Sequence, residues 1–446
     1  MIKTWKMKGL SILLCLVLIF GTACGTGNAN KAEDSKKETD TSTTMQPDAA
    51  DESVKPQEDD TTDVAADDTQ EGNDTVAASN AGPDGKVKKK KKKEKMRDIT
   101  SQELVAEMVL GWNLGDSLDV CAADRDGDGV VNETPADGIV DETLWGNVRT
   151  TKEIFKTLKE QGINAVRIPV TWRDHMGEGP DYTIDKDWMD RVQEVVDYAY
   201  DMGMYVIINV HHDGGGDPQF GAWIRDAAGD KKTVMKRYKA VWEQIVERFE
   251  NYSDYLIFES MNEVGFDTLS DGDAFDLLNE FNQEFVKLIR KSGGNNGKRH
   301  LLIAGYWTDI EKSCDNAFKM PKDKENRCIL SVHYYTPWEF CTTNMQHTWG
   351  TDSDIAVMKG KINLLKQHYI KKGIPIIVGE FGTGLGNETE SRILFCSEFV
   401  KRCKELGIPA FFWDNGGEFD RVALKWRTDG LLEGMVEASG TKIKVK

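Results

Sequence analysis

The chain has 446 residues and a formal net charge of −18, which excludes nucleic-acid binding by the molecule as a whole. Its hydrophobic fraction of 39% averages two unlike parts, a long polar amino-terminal segment and an apolar-patterned remainder.

The first ten residues carry Lys3, Lys6 and Lys8, an apolar run follows to Phe20, and Gly21-Thr22-Ala23-Cys24 closes it. A basic start, an apolar stretch of this length and small residues before a cut predict an export signal rather than a spanning helix. Cys24 directly after the small residues makes residues 1–23 resemble a bacterial lipoprotein signal, although Gly21 stands where such signals usually carry Leu. That reading predicts a lipid anchor at Cys24 and a place at the bacterial cell surface. An ordinary secretion signal is the alternative. Residues 24–98 are expected to form a disordered polar linker, because they cannot bury enough apolar surface to offset their ordering entropy. The linker ends in a lysine block from Lys86 to Lys95, read either as an adhesive patch for an anionic envelope surface or as a solvated, self-repelling spacer.

From Ile99 onward short apolar runs alternate with helix-period segments, the pattern of a parallel sheet with crossover helices. Strands are predicted at 109–114, 165–170, 205–210, 255–261, 300–304, 328–334, 375–380 and 410–413. Several intervening helices stop at a glycine, as at Gly162, Gly203, Gly373 and Gly407, a common carboxyl-terminal signal. Eight strand–helix units over residues 99–446 predict an α/β fold, a (β/α)8 TIM barrel. A doubly wound sheet would want a Gly-rich phosphate loop, and Gly214-Gly215-Gly216 lacks that spacing.

In such a barrel, residues at the carboxyl ends of strands carry the chemistry. Here those ends deliver Arg167, His211 and His212, Asn262 and Glu263, His333 and Tyr335, Glu380, and Trp413. Two acids, each at the end of an apolar strand, are what a glycosidase needs, and a retaining enzyme sets its carboxyl groups about 5–5.5 Å apart. Strands four and seven lie on opposing parts of an eight-stranded barrel, so their long side chains can meet across the mouth. Arg167 and Tyr335 would stabilise the ionised acid and lower its pKa, and burial would keep the other protonated. Asn262 is placed to bond a sugar 2-hydroxyl, and Trp413 offers a flat face for a pyranose ring.

The motifs WNLG (112–115), VRIPVTW (166–172), NVHH (209–212), MNE (261–263), HYYTPW (333–338), VGEFG (378–382) and FWDNG (412–416) occur in an order that resembles glycoside hydrolase family 5. With LWGN (144–147) they are most similar to its subfamily 4 of endo-β-1,4-glucanases and xyloglucanases. The resemblance implies Glu263 as acid/base and Glu380 as nucleophile, with Arg167, His211, Asn262, His333, Tyr335 and Trp413 around the glycone. It implies hydrolysis of plant cell-wall β-glucan by a monomer that requires no cofactor. A β-1,4-mannanase on the same fold and a non-catalytic surface glycan-binding protein are the competing readings.

Three departures stand out. Asp116 replaces the usual Asn and adds a charge near the glycone side; Val264 replaces the usual Pro; and residues 121–142 form an insertion. In that insertion Asp124, Asp126 and Asp128 with Gly129 resemble the start of a calcium loop. Its twelfth position is Pro135, so a structural calcium site and a solvated acidic loop both stand. His211-His212 lacks the further ligands of a catalytic metal site, and no metal is expected there. The aromatic residues of 306–307, 336–340 and 347–350 divide between leaving-group subsites and packing. Among six cysteines beyond the signal, spacing identifies no disulfide, and Cys396 and Cys403 stand too far apart on one helix to bridge.

Overall fold

The computed structural model describes residues 91–123, 140–215 and 220–441. The signal, Cys24, the linker to residue 90 and the loop acids Asp124, Asp126 and Asp128 lie outside the described residues.

Eight parallel strands close in chain order into a barrel: β1 (Gly111–Leu114), β2 (Ala165–Ile168), β3 (Tyr205–Ile208), β4 (Leu256–Glu259), β5 (Leu301–Ala304), β6 (Cys328–Tyr334), β7 (Ile376–Phe381) and β8 (Ala410–Asp414). Each falls within a residue or two of a predicted run. Helix α1 (Ser101–Glu107) precedes the barrel. The surrounding helices are α2 (Lys152–Glu160), α3 (Lys186–Tyr200), α4 (Ala227–Arg248), α5 (Asp271–Ser292), α6 (Ile310–Ser313), α7 (Trp338–Cys341), α8 (Asp352–His368), α9 (Thr389–Glu405) and α10 (Leu431–Ser439). A two-stranded ribbon, β9 (Phe419–Asp420) with β10 (Lys425–Trp426), follows β8.

Alternation along each strand sorts the side chains. Tyr205, Ile207, Ile257, Leu302, Ile329, Ile377 and Phe411 fill the lower barrel, and Leu104, Val105 and Met108 of α1 and its cap join the same apolar cluster. Helix α1 holds that position through a capping box, in which Thr100 and Glu103 satisfy each other's end groups. The outward-facing strand residues pack against the helices in a second, larger cluster. The six cysteines among the described residues form no disulfide.

The folded unit begins earlier than the sequence suggested. Residues 91–98, assigned to the linker, lie along the amino ends of β3 and β4. Every third side chain is engaged: Lys91 bonds Asp197 and Asp201 and sits over the Tyr200 and Tyr252 rings. Glu94 accepts from the Tyr200 hydroxyl at 2.6 Å, and Arg97 pairs with Asp254, Glu107 and Tyr205. The charge run read as spacer because its partners other than Glu107 lie more than a hundred residues away in sequence. Asp254 is almost fully buried, so Arg97→Ala leaves a buried carboxylate without its guanidinium. Thermal unfolding of the variant is expected to show a loss of about 2 kcal/mol, a few °C in Tm.

Candidate active site

The site is built at the carboxyl ends of the strands, as the sequence predicted, and its centre is Arg167 of β2. This side chain is fully buried, and its guanidinium spans four groups. Nε donates to Glu259 Oε2 at 2.7 Å, Nη1 to Glu380 Oε1 at 2.6 Å and to Asn113 Oδ1 at 3.1 Å, and Nη2 to Asn262 Oδ1 at 2.7 Å. A planar fork with fixed donor directions suits this task as a lysine would not.

Glu380 is aimed inward by a local irregularity. Val332 pairs with Val378, and the next pair is His333 with Glu380, so Gly379 is an extra residue on β7. Such a bulge bends a strand and re-aims a side chain. Gly379 has a second reason to be glycine: a Cβ there would stand 3.1 Å from His333 Nε2 and 3.2 Å from Ser331 Oγ. Tyr335, just past β6, donates its hydroxyl to Glu380 Oε2 at 3.0 Å.

Glu263 reaches the same space by another route. Strand β4 ends at Glu259, four residues short, and not at Met261 as the apolar run suggested. The chain beyond keeps its place through backbone bonds from Ser260 N to Leu302 O and from Asn262 N to Val210 O. Glu263 then adopts φ +46°, a left-handed conformation that costs a non-glycine residue about 1 kcal/mol or more and that clusters at functional sites. Its Oε1 lies 2.7 Å from His333 Nδ1, which is 3.5 Å from Glu380 Oε2. One oxygen of each glutamate and a ring nitrogen of His333 all lie within 4.8 Å of one another.

On the far side of the mouth, the His211 and Trp413 rings are nearly parallel, 7° apart with centroids separated by 5.8 Å. Gly115 makes room for Trp413, since a Cβ at that position would meet the indole at 2.8 Å. Gly115→Ala is therefore expected to displace the indole and, if Trp413 carries a sugar ring, to raise KM several-fold while kcat changes less; steady-state kinetics reads both.

The sequence of this site matches the profile of cellulase (glycosyl hydrolase family 5) over residues 124–419. The chain belongs to glycosyl hydrolase family 5. It is 37% identical to endoglucanase A of Ruminococcus albus over 364 residues, covering 77% of this chain and 94% of that one. In structure it is similar to a broad-specificity endoglucanase of subfamily 4 from Ruminococcus champanellensis with bound cellotriose, at TM-score 0.68 and 35% identity over 77% of this chain and 99% of that one. It is also similar to a family 5 xyloglucanase from Paenibacillus pabuli, at TM-score 0.68 and 31% identity over 75% and 99% of the two chains. This family 5 chain is a glycoside hydrolase.

The electrostatics of the hydrolase site differ in one respect from the sequence-based expectation. Burial pushes the Glu380 carboxyl up, and Glu263 beside it adds to that; His333 and Arg167 oppose, and the net direction is upward. Burial also pushes Glu263 up, but the hydrogen bond and charge of His333, with Arg167 behind them, draw it below the ordinary carboxylate range. The lower value was expected on the partner of Arg167 and Tyr335. The reversal belongs to the resting site and has a specific source. The pull on Glu263 requires His333 to donate at Nδ1, whereas a His333 that accepts there leaves Glu263 as the protonated member. Glu380 keeps its guanidinium and phenol donors in both cases. Only 6% of the Glu380 side chain is exposed, against 34% of Glu263, so Glu263 is the more open of the two to the cleft.

Burial holds both His211 and His212 below the ordinary histidine range, so both imidazoles are neutral near pH 7. The structure supplies them with the acid that the sequence did not reveal: Asp119, His211 and His212 place one ligand atom each within 4.8 Å of the others. Two of these three residues already have other partners, however. The Asp119 oxygens accept the backbone N–H groups of Asp116 and Ser117, and His211 Nδ1 lies 3.2 Å from Asn209 Nδ2. Asp116 also adopts a left-handed backbone at φ +50°. Burial and Asp119 push its carboxyl well above the usual range, against the pull of Arg421, which weakens the extra charge expected there.

All eight predicted residues of this family 5 site converge on one mouth. What the sequence missed is the layer beneath. Glu259 is fully buried and accepts from Arg167, from Asn209 Nδ2 at 3.0 Å and from Ser331 Oγ at 2.7 Å. Asn113 Nδ2 donates to Gly379 O at 2.9 Å, tying β1 to the bulge. The one available signal was a carboxyl inside the apolar run Leu256-Ile257-Phe258-Glu259. Of the aromatic candidates, Tyr306, Phe340 and Trp349 are buried packing residues, and Trp307 and Trp338 are partly exposed.

Proposed function

We propose that this hydrolase is a retaining endo-β-1,4-glucanase acting on cell-wall β-glucans, with Glu380 as nucleophile and Glu263 as acid/base. The observation that carries the reading is the pair of carboxylates whose nearest atoms, with His333, fall within 4.8 Å, a separation suited to direct attack rather than to an interposed water. Glu380, held by Arg167 and Tyr335, attacks the anomeric carbon while Glu263 passes its proton to the departing glycosidic oxygen. A covalent glycosyl–enzyme results. Water then attacks the same carbon, gives its proton to Glu263 and releases Glu380. Sugar in the cleft displaces water from the more open Glu263 and so favours its protonated form. Asn262, anchored by Arg167, is placed to bond the 2-hydroxyl, and the indole of Trp413 to carry the ring. No step calls for a cofactor.

The endoglucanase and xyloglucanase names of the similar proteins favour glucans with an equatorial 2-hydroxyl over mannan. We further propose that the enzyme is exported and held at the cell surface through a lipid on Cys24. Reducing-sugar release from xyloglucan, mixed-linkage glucan, carboxymethyl cellulose and glucomannan, with NMR of the first-formed anomer, tests the main reading. Glucan hydrolysis with the β-anomer formed first is expected. An α-anomer formed first removes retention, and release from glucomannan alone removes the glucanase assignment.

A further inference from the structure

The end of the barrel opposite the cleft is basic, although the chain as a whole is strongly acidic. A groove of about 1500 Å³ opens there between α5, the loop before β6, the turn before β7 and the segment leading into α1. Seven lysines and arginines line it against three acids. Arg290 is paired with Asp323 at 2.8 Å, whereas Lys291, Lys322, Lys324 and Lys372 are exposed and form no ion pair among the described residues.

The segment 91–98 adds to the same end. Its anchors Lys91, Glu94 and Arg97 face the protein, and this spacing turns Lys92, Lys93 and Lys95 out to solvent. The anchors therefore fix three exposed lysines at the amino ends of the strands rather than leaving them on a free spacer. The basic end faces away from the cleft, which opens at the carboxyl ends of the strands.

We propose that this amino-terminal face docks on an anionic phospholipid bilayer. The basic groups are spread over several segments of one barrel end, as many separate headgroups require, rather than gathered into one slot for a single phosphate. Lys91, the first described residue, lies at this face. The cleft lies at the opposite end of the barrel, so docking through this face leaves it open to polysaccharide. A lysine near such a surface contributes on the order of 1 kcal/mol, a factor of about five in binding, and the attraction fades beyond about 10 Å at 0.1 M salt. The proposal requires neither catalysis nor lipidation.

The test is sedimentation of the chain from position 24 onward, carrying Cys24→Ser, with vesicles of phosphatidylcholine alone and of phosphatidylcholine mixed with phosphatidylglycerol. Binding to the mixed vesicles is expected to exceed binding to the neutral ones by at least about tenfold and to fall as salt rises. Two triple variants, K92Q/K93Q/K95Q and K291Q/K322Q/K324Q, should each lower it by about tenfold or more. The triple K232Q/K236Q/K359Q makes the same charge change on exposed helix positions away from this face and should leave it unaltered. Hydrolysis of a soluble glucan should be the same in all four proteins. Equal binding to both vesicle types overturns the proposal, as does a wild-type preference that neither basic-face triple reduces. Tighter binding to poly(glycerol phosphate) than to the mixed vesicles at equal phosphate overturns the lipid assignment in favour of a phosphate polymer.

Discussion

Glu380→Ala is expected to lower kcat on a soluble β-glucan by on the order of 10⁴-fold or more, because it removes the proposed nucleophile. Glu263→Ala should lower it comparably on substrates with poor leaving groups and far less on aryl glycosides, whose leaving group needs no proton. Azide separates the two roles. Added to Glu263→Ala, it should attack the intermediate and yield a β-glycosyl azide; added to Glu380→Ala, it should fill the space of the missing carboxylate and yield the α-glycosyl azide. Identification of the azide anomer by NMR decides the matter. The reverse pattern would exchange the roles of the two glutamates, in line with the resting-state pKa directions, in which Glu263 is the lower of the pair.

The second large effect concerns the charge beneath the site. Arg167→Leu strands Glu259 and Glu380, two carboxylates that the guanidinium holds at 2.7 and 2.6 Å. Breaking a buried pair by removing one partner costs about 3–5 kcal/mol, because the remaining charge has neither water nor counter-ion. Loss of stability of that order, visible as a fall in Tm of several degrees, should accompany a loss of kcat/KM of at least about 10³-fold. Tm within a degree of wild type would show that the network carries little of the stability. Glu259→Gln is the finer probe. Its amide still accepts from Arg167 Nε, but the negative charge is gone, so more of the guanidinium's field falls on Glu380. A lower Glu380 pKa moves the acidic limb of the kcat/KM profile to lower pH, because that limb reports the ionised nucleophile. An unshifted limb with reduced kcat would reduce Glu259 to a packing role.

The sequence by itself determined the barrel and the inventory of its mouth. Buried parallel strands read as continuous apolar runs, and a polar residue that ends such a run is conspicuous; Arg167, His211, Glu263, His333, Glu380 and Trp413 were all visible on that ground. Strand order followed from the alternation of strands and helices, because right-handed crossovers leave few other closures. What only the tertiary structure decided is how those groups are held. Glu259 lies inside an apolar run, and its value comes from β2, β3 and β6, which supply Arg167, Asn209 and Ser331 from 92, 50 and 72 residues away. The bulge at Gly379 exists only as a register mismatch between two strands, and no single-strand pattern contains it. The left-handed turn at Glu263 is imposed by backbone bonds to β5 and the end of β3 and runs against the local preference of glutamate. The docked residues 91–98 were hidden for the same reason. A lysine run reads as solvated spacer until the fold brings Asp197, Asp201, Asp254 and two tyrosine rings to one end of the barrel. Local sequence sets which residues a strand end offers. Their protonation and aim come from charges and donors that only the closed barrel brings within hydrogen-bond distance.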